Sequence, residues 1–285
     1  MASISSLFGY ILNLIYNLIH NYGLAIILFS VLLKVILLPL SIKQQKTMKK
    51  TAKMQGKIKE LQEKYKNDQM KLNQEMMDLY KKENMSPFSG CLTSILQIIL
   101  LFAMFGLVRN PLTYMKKIDN ATIENYKTEM RQELGENSIS NNYPEISVLK
   151  YVNDYKSHED PLYINTEFFG LDLSKIPQEN LNDWTVYIIP VLYVITTFIS
   201  MQITTKMTTT QKDKNKEINS DKKEENPEEM AMQMNKSMAW FMPLMSVSIS
   251  IIAPLGLALY WLVNNILMIV ERLVLNKCIK SEEEE

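Results

Sequence analysis

Lys34 is the residue whose chemistry most needs an explanation. It lies near the middle of the apolar stretch Leu24 to Ile42, where insertion scales give a lysine a cost of roughly 2.5 to 3.5 kcal/mol. It is the only formally charged residue deep within any of five long apolar stretches. Snorkelling does not relieve it, because the ammonium would have to reach across about eight residues of helix, or about 12 Å, more than an extended lysine covers. A cation held there faces a hydrated cavity or a partner rather than lipid. Polar residues of the other stretches are candidates to hydrate it: Gln97, Thr196, Thr197, Ser200, Ser246, Ser248, Ser250, Asn264 and Asn265. Ser and Thr in spans commonly bond their own helix, so Gln97 and the Asn pair weigh more. The expectation is a polar cavity enclosed by spans and open on one side.

Other chemistry finds few residues to run it. His20 and His158 are the only histidines, and both lie outside the apolar stretches. No carboxylate pair or nucleophile with a nearby base is visible within them, so an intramembrane enzyme lacks its tools. Cys91 and Cys278 are the only cysteines and form neither a CxxC nor a His/Cys cluster, so no disulfide and no metal are expected. There is no GxxxxGK[ST] phosphate loop, and no nucleotide or other cofactor is expected. The 31 Lys and Arg balance 31 Asp and Glu, which excludes a polybasic nucleic-acid arm and gives no reason to expect DNA binding. A small-solute or ion transporter using Lys34 as its binding site is the alternative function. Transporters often show repeated halves with broken helices, and no internal repeat is visible.

The elements that must position these residues follow from bilayer thickness. Leu24 to Ile42, Cys91 to Val108, Thr185 to Ile203, Met238 to Pro254 and Leu255 to Leu275 approach the length of about 17 to 25 residues that a span needs. The last two abut, so a hairpin is expected at Pro254-Leu255-Gly256. Residues 43–83 carry 12 Lys against 6 Asp and Glu, whereas residues 110–183 carry 7 Lys and Arg against 13 Asp and Glu. By the positive-inside rule the first segment is cytoplasmic, the second lies outside, and the C-terminus is inside. The fold class expected is an all-α membrane protein with five transmembrane helices around a hydrophilic groove. Its segments are an N-terminal outer interfacial helix over 1–22, spans over 23–42, 88–109, 184–203, 238–254 and 255–275, a cytoplasmic helical hairpin over 43–84, an extracellular region over 110–183, a cytoplasmic loop over 204–237 and an acidic cytoplasmic tail over 276–285.

Three of these segments have sequence patterns of their own. Leu7, Ile11, Leu14, Ile15 and Leu18 share one helical face, with Asn13, Asn17 and Asn21 on another, which reads as an amphipathic helix on the outer leaflet; an extra span is the alternative. Met1 to Ser6 carries no Lys or Arg and no small-residue cleavage pattern follows, so a secretory signal is not expected. In the hairpin, Met54, Ile58, Leu61 and Tyr65 keep helical spacing, Asn67-Asp68 offers a turn, and Met70, Met76, Met77 and Tyr80 resume it. Methionine is polarizable and adaptable, so Met54, Met70, Met76 and Met77 are candidates for capturing varied apolar partners; a self-packed pair of helices is the equal alternative. Tyr143, Tyr151, Tyr155, Phe168 and Phe169 give the outer region aromatic content suited to short helices on the membrane. The Lys, Glu, Asn and Thr-rich loop over 204–237 reads as solvated chain.

The residues also carry a family likeness. NYGLAIILFSVLLKVILLPLSIKQQ (Asn21 to Gln45), SPFSGCLTSILQ (Ser86 to Gln97) and MPLMSVSISIIAPLGLALYWLVNN (Met242 to Asn265) resemble the YidC/Oxa/Alb membrane protein insertases, in order and over nearly the whole chain. The resemblance implies five spans around a groove open to cytoplasm and lipid and closed outside, with Lys34 at the position of the groove's cation. It implies insertion of nascent membrane proteins without nucleotide hydrolysis, with membrane lipids as surroundings and the ribosome, a Sec-type translocon and the signal recognition particle pathway as candidate partners in a bacterial cell membrane. Thr197, Ser200, Gln97, Asn264 and Asn265 would shape the groove, and Tyr260 and Trp261 would contact a client. Three departures stand out. Arg is usual where Lys34 stands, and a lysine can lose the proton that an arginine keeps. Glu271 replaces a usual amide, leaving open a pairing with Lys277 or Arg272. The tail ends in Glu282 to Glu285, where some relatives carry long basic ribosome-binding tails.

Overall fold

The computed structural model describes the backbone of residues 2–66, 68–83, 89–208, 245 and 247–284, and their side chains except those of 52, 55, 59, 89–97, 205–208 and 279–284. Most of the 204–237 loop and residues 238–244 and 246 of the fourth expected span lie outside the described residues, as do the side chains of Cys91, Gln97 and the acidic tail.

The chain is helical almost throughout. Its helices are α1 (Ala2–Ile19), α2 (Tyr22–Lys64), α3 (Gln69–Lys82), α4 (Ser89–Arg109), α5 (Pro111–Tyr114), α6 (Asn120–Leu134), α7 (Pro144–Tyr155), α8 (Ile188–Thr208) and α9 (Leu255–Glu284). A two-stranded antiparallel sheet, β1 (Glu167–Phe168) with β2 (Leu171–Asp172), pairs Glu167 with Asp172 and Phe168 with Leu171. Among the described residues, Ala2–Ile19, Tyr22–Lys64, Trp184–Thr204 and Leu255–Cys278 are long and apolar enough to cross a bilayer, and Ile98–Arg109 is a shorter apolar helix. This is an all-α membrane protein.

α2 continues without a break past residue 42, where a span and a cytoplasmic helix would meet. Nothing between Ser41 and Lys46 disfavours a helix, and the change of solvent from lipid to water leaves its internal backbone bonds intact. Pro39, inside α2, leaves the Val35 carbonyl without its helical donor.

Contacts divide the chain into two compact units: Met1–Val35 with Ile99–Thr197 and Lys236–Leu267, and Ile36–Ile98 with Phe198–Asn235 and Met268–Glu285. The first has a continuous core, with Leu12 from α1, Ile26 and Phe29 from α2, Met104 and Leu107 from α4 and Ala258 from α9 all inaccessible. Two glycines permit its closest approaches. A Cβ on Gly9 would stand 2.1 Å from the Tyr114 carbonyl oxygen, and one on Gly23 would stand 2.3 Å from the Phe168 ring. Ser5 Oγ donates to Ala103 O at 2.9 Å, and Phe8 meets Phe29 edge to face at 5.5 Å.

The region 110–183, expected outside, belongs to the same unit and folds around buried Ile123, Leu149, Val152, Leu162, Ile164 and Leu173. Asp119 caps α6 by accepting from Thr122 N at 2.9 Å, and Gly135 ends it at φ 93°. Glu145 is buried and accepts from Thr113 N at 3.0 Å and Thr113 Oγ1 at 2.6 Å, satisfying the first turn of α5. Burial pushes its carboxyl above the usual range, against the pull of the Thr113 hydrogen bonds. Two-residue strands carry no readable alternation, so this sheet leaves no signal in the sequence.

In the second unit, Asp68 caps α3 by accepting from Lys71 N at 3.0 Å, and Lys81 and Lys82 close its last turn. Tyr65 and Lys66 form the turn before it.

Candidate functional site

Lys34 sits half-buried on the flank of α2. Leu24, Leu28, Val31, Leu32 and Val35 are exposed on one face, while Ala25, Ile26 and Phe29 are enclosed on the other. The alternation at helical period separates a lipid-facing stripe from a packed one. One turn before Lys34, Ser30 is wholly buried and donates to Ile26 O at 2.8 Å. A hydroxyl and an ammonium thus share one line of the helix, at its protein-facing edge. A single serine in a span, as Ser30 is, carries no signal in the sequence by itself.

In the same unit α8 and α9 are joined by a polar relay. Asn265 Nδ2 donates to Thr197 Oγ1 at 2.7 Å, and Thr197 Oγ1 donates to Tyr193 O at 2.8 Å. Thr196 Oγ1 donates to the same carbonyl at 2.9 Å. Asn264 turns back on its own helix, Nδ2 to Tyr260 O at 2.8 Å, and Ser250 does likewise, Oγ to Val247 O at 2.6 Å. Of the Asn pair, then, Asn265 links helices and Asn264 does not use its amide that way. Tyr260 and Trp261, expected to meet a client, are 7% and 8% exposed, and Trp261 lies against Tyr193 with ring centres 5.7 Å apart. An unbroken apolar run such as LGLALYWLV has no polar face by which to tell its packed side from its lipid side.

One end of this unit is closed by backbone. Leu255 N donates to Lys175 O and Gly256 N to Leu173 O, both at 2.9 Å, so the outer region satisfies the first free N–H groups of α9. Tyr22 N donates to Asn165 O at 3.0 Å, Asn21 Nδ2 to Glu167 O at 2.8 Å, and Asn165 N to the Tyr16 hydroxyl at 2.8 Å. One segment, 165–175, therefore holds the turn between α1 and α2 and the start of α9.

The second unit holds a separate polar cluster. The Arg272 guanidinium donates to Thr204 Oγ1 and, at 3.4 Å each, to Ser200 O and Oγ. Gln45 Nε2 donates to Arg272 O at 3.3 Å. Ser200 is thus engaged by Arg272, and α2, α8 and α9 are tied together by side chains. In the hairpin, Met54 is buried with Ile58 and Leu72, Met76 is half-buried, and Met70 and Met77 are 85% and 49% exposed. Lys57 pairs with Glu83 at 2.7 Å and draws its carboxyl below the usual range. Among the described residues no group of His, Cys, Asp and Glu could hold a metal ion.

The family model of the 60Kd inner membrane protein matches residues 14–283. A protein named membrane protein insertase YidC in Treponema denticola is 29% identical over 284 residues, which is 99% of this chain and 38% of that protein. One in Caldanaerobacter subterraneus subsp. tengcongensis is 28% identical over 287 residues, 99% of this chain and 100% of the relative. One in Chlorobaculum tepidum is 30% identical over 273 residues, covering 96% and 36%. The chain therefore spans little more than a third of two of these relatives and the full length of the third.

Proposed function

The chain belongs to the 60Kd inner membrane protein family, and from that premise we propose that it is an insertase, receiving nascent membrane proteins on the cytoplasmic side and releasing them sideways into lipid. One observation carries the reading: a lysine kept at mid-span on the protein-facing edge of α2, one turn from a buried serine. The cost of a charge at that depth is supported only by a role that uses it.

The work needs no nucleotide and no covalent step. Moving an apolar segment from water to lipid releases about 25 cal/mol per Å² buried, which is ample for about 20 residues. The barrier is the client's polar flank. A hydrated groove shortens the crossing, and Lys34 attracts an acidic or polar tail into it. Asn265 and Thr197 offer polar groups on facing helices, Asn264 stands beside them, and Tyr260 and Trp261 act as packed walls rather than client contacts. Met70 and Met77, exposed on the hairpin, take the client first, with Met76 beside them and Met54 holding the hairpin together.

The topology that goes with this reading has the N-terminus and region 110–183 outside and the C-terminus in the cytoplasm, as the lysine excess in 43–83 requires. Phe29, Ala103, Gly106 and Tyr114, against which α1 packs, lie within seven residues of the ends of α2 and α4. That shallow seat supports α1 as an interfacial helix rather than a further span. The ribosome, a Sec-type translocon and the signal recognition particle pathway are the supply routes of the reading, to be sought by co-purification with stalled nascent chains.

The test is insertion of a single-span client into liposomes holding the purified protein, without nucleotide. Lys34→Ala should lower insertion of clients with acidic outer tails by about ten-fold, equivalent to ~1.4 kcal/mol of attraction, while Lys34→Arg retains it. Full activity of the alanine variant would refute the role of the charge, and solute flux without insertion would refute the insertase.

A further inference from the structure

The turn between β1 and β2 places Phe169 and Gly170 at φ 48° and 76°. Two successive positive-φ residues make the tight hairpin turn that favours Asn or Asp in the first position, and a phenylalanine there is locally disfavoured. Its ring is also 89% exposed, while the neighbouring Phe168 is half-buried against Gly23. A large apolar side chain held out at a position that backbone preference would give to a small polar one calls for a partner that favours it.

The place of the tip identifies that partner. Glu167 O and Asn165 O accept from Asn21 and Tyr22, so the hairpin is fastened to the first turn of α2. From that turn runs the exposed apolar stripe that begins at Leu24 and Leu28, the surface that meets lipid. Phe169 extends the apolar surface at the end of a span. The same pattern recurs just before α8, where Trp184 is 73% exposed. At span ends a tryptophan settles at the headgroup level, and a phenylalanine on an interfacial segment buries its ring at the headgroup and acyl boundary.

We propose that Phe169 is a lipid anchor: the tip of this hairpin dips into the bilayer surface beside α2 and, with Trp184, seats the outer region on the membrane. Glu167 and Asp172 flank the tip, so anionic headgroups are not what draws it. The contact is burial of an aromatic ring and is insensitive to salt.

The experiment uses the full chain in phosphatidylcholine nanodiscs, with Cys91→Ser and Cys278→Ser, and an environment-sensitive fluorophore on Phe169→Cys or, as control, on Glu136→Cys, whose side chain is 88% exposed. The expected result at 169 is blue-shifted emission, several-fold stronger quenching by lipids spin-labelled near the headgroup and several-fold weaker quenching by aqueous iodide than at 136, unchanged in high salt. Iodide access equal to the control overturns the proposal. Protection from both quenchers also overturns it, in favour of a protein partner. A label-free measurement stands beside these: Phe169→Ala, which removes the ring without the turn preference of Asp, should speed hydrogen exchange of β1 and β2 in nanodiscs several-fold while Phe169→Trp does not, and equal exchange in all three proteins overturns the anchor.

Discussion

The region over 110–183 and the helical segment over 43–83 are both rich in polar residues, and they are built in opposite ways. The outer region has its own core, a buried carboxylate that caps a short helix, and backbone carbonyls that cap α9. The hairpin buries Met54, Ile58 and Leu72 and leaves Met70 and Met77 in the open. A segment that must keep one end shut gains from many directional bonds, because each fixes a position. A segment that is to accept differing clients, as proposed for the hairpin, gains from flexible, polarizable side chains and few such bonds. Polarity alone would not distinguish the two; what differs is how much of each is committed to internal partners.

The sharpest way to break this contrast lies at the seam between α1 and α5. Gly9→Val puts a side chain into the Tyr114 carbonyl and should cost more than about 3 kcal/mol, read as loss of folded protein in detergent by thermal unfolding. An unchanged midpoint would mean the seam yields. Next in size is Met54→Ala, expected to loosen the hairpin by about 2 kcal/mol, seen as faster proteolysis at α3. Met77→Ala should leave stability within about 0.5 kcal/mol yet reduce crosslinking to a nascent client. If the two variants behaved alike, the division between packing and receiving methionines would fail.

Glu145 tests the outer region through pH. Its folded carboxyl is held above the usual range, so the folded state binds the proton more tightly than the unfolded one, and stability is fullest at acid pH. It is lost as pH rises from the unfolded value through the raised folded one. Thermal melts of wild type and Glu145→Gln should therefore diverge over that rise, with the glutamine variant the flatter; parallel curves would contradict the assignment. A small gain rather than a loss is expected at Gly56 in α2, where an added Cβ meets nothing within 4 Å. Gly56→Ala should stabilise by up to about 1 kcal/mol, and a loss of stability there would show that the hairpin helix is less open than described.

Much of this was legible in the residue order. Lys34 announces itself by cost, and Asp68 by cap chemistry that its bond from Lys71 N makes specific, whereas Asn67, the other residue of the expected turn, lies outside the described residues. Ser30, Gln45 and Arg272 were harder to single out, since a serine, a glutamine and an arginine near span ends are common and their worth depends on what stands opposite. The readings of Tyr260 and Trp261 turn on burial, which an apolar run does not encode.

By itself the sequence determined where the chain meets lipid, because transfer from water to hydrocarbon is a cost each residue carries separately and sums along a window. It also determined which charge would be out of place there. Only the tertiary structure decided which face of α9 is packed, that Asn265 rather than Asn264 reaches Thr197, and that Leu173 and Lys175 lend their carbonyls to a helix some 80 residues away. Those are properties of pairs, fixed by direction and distance between groups remote in the chain.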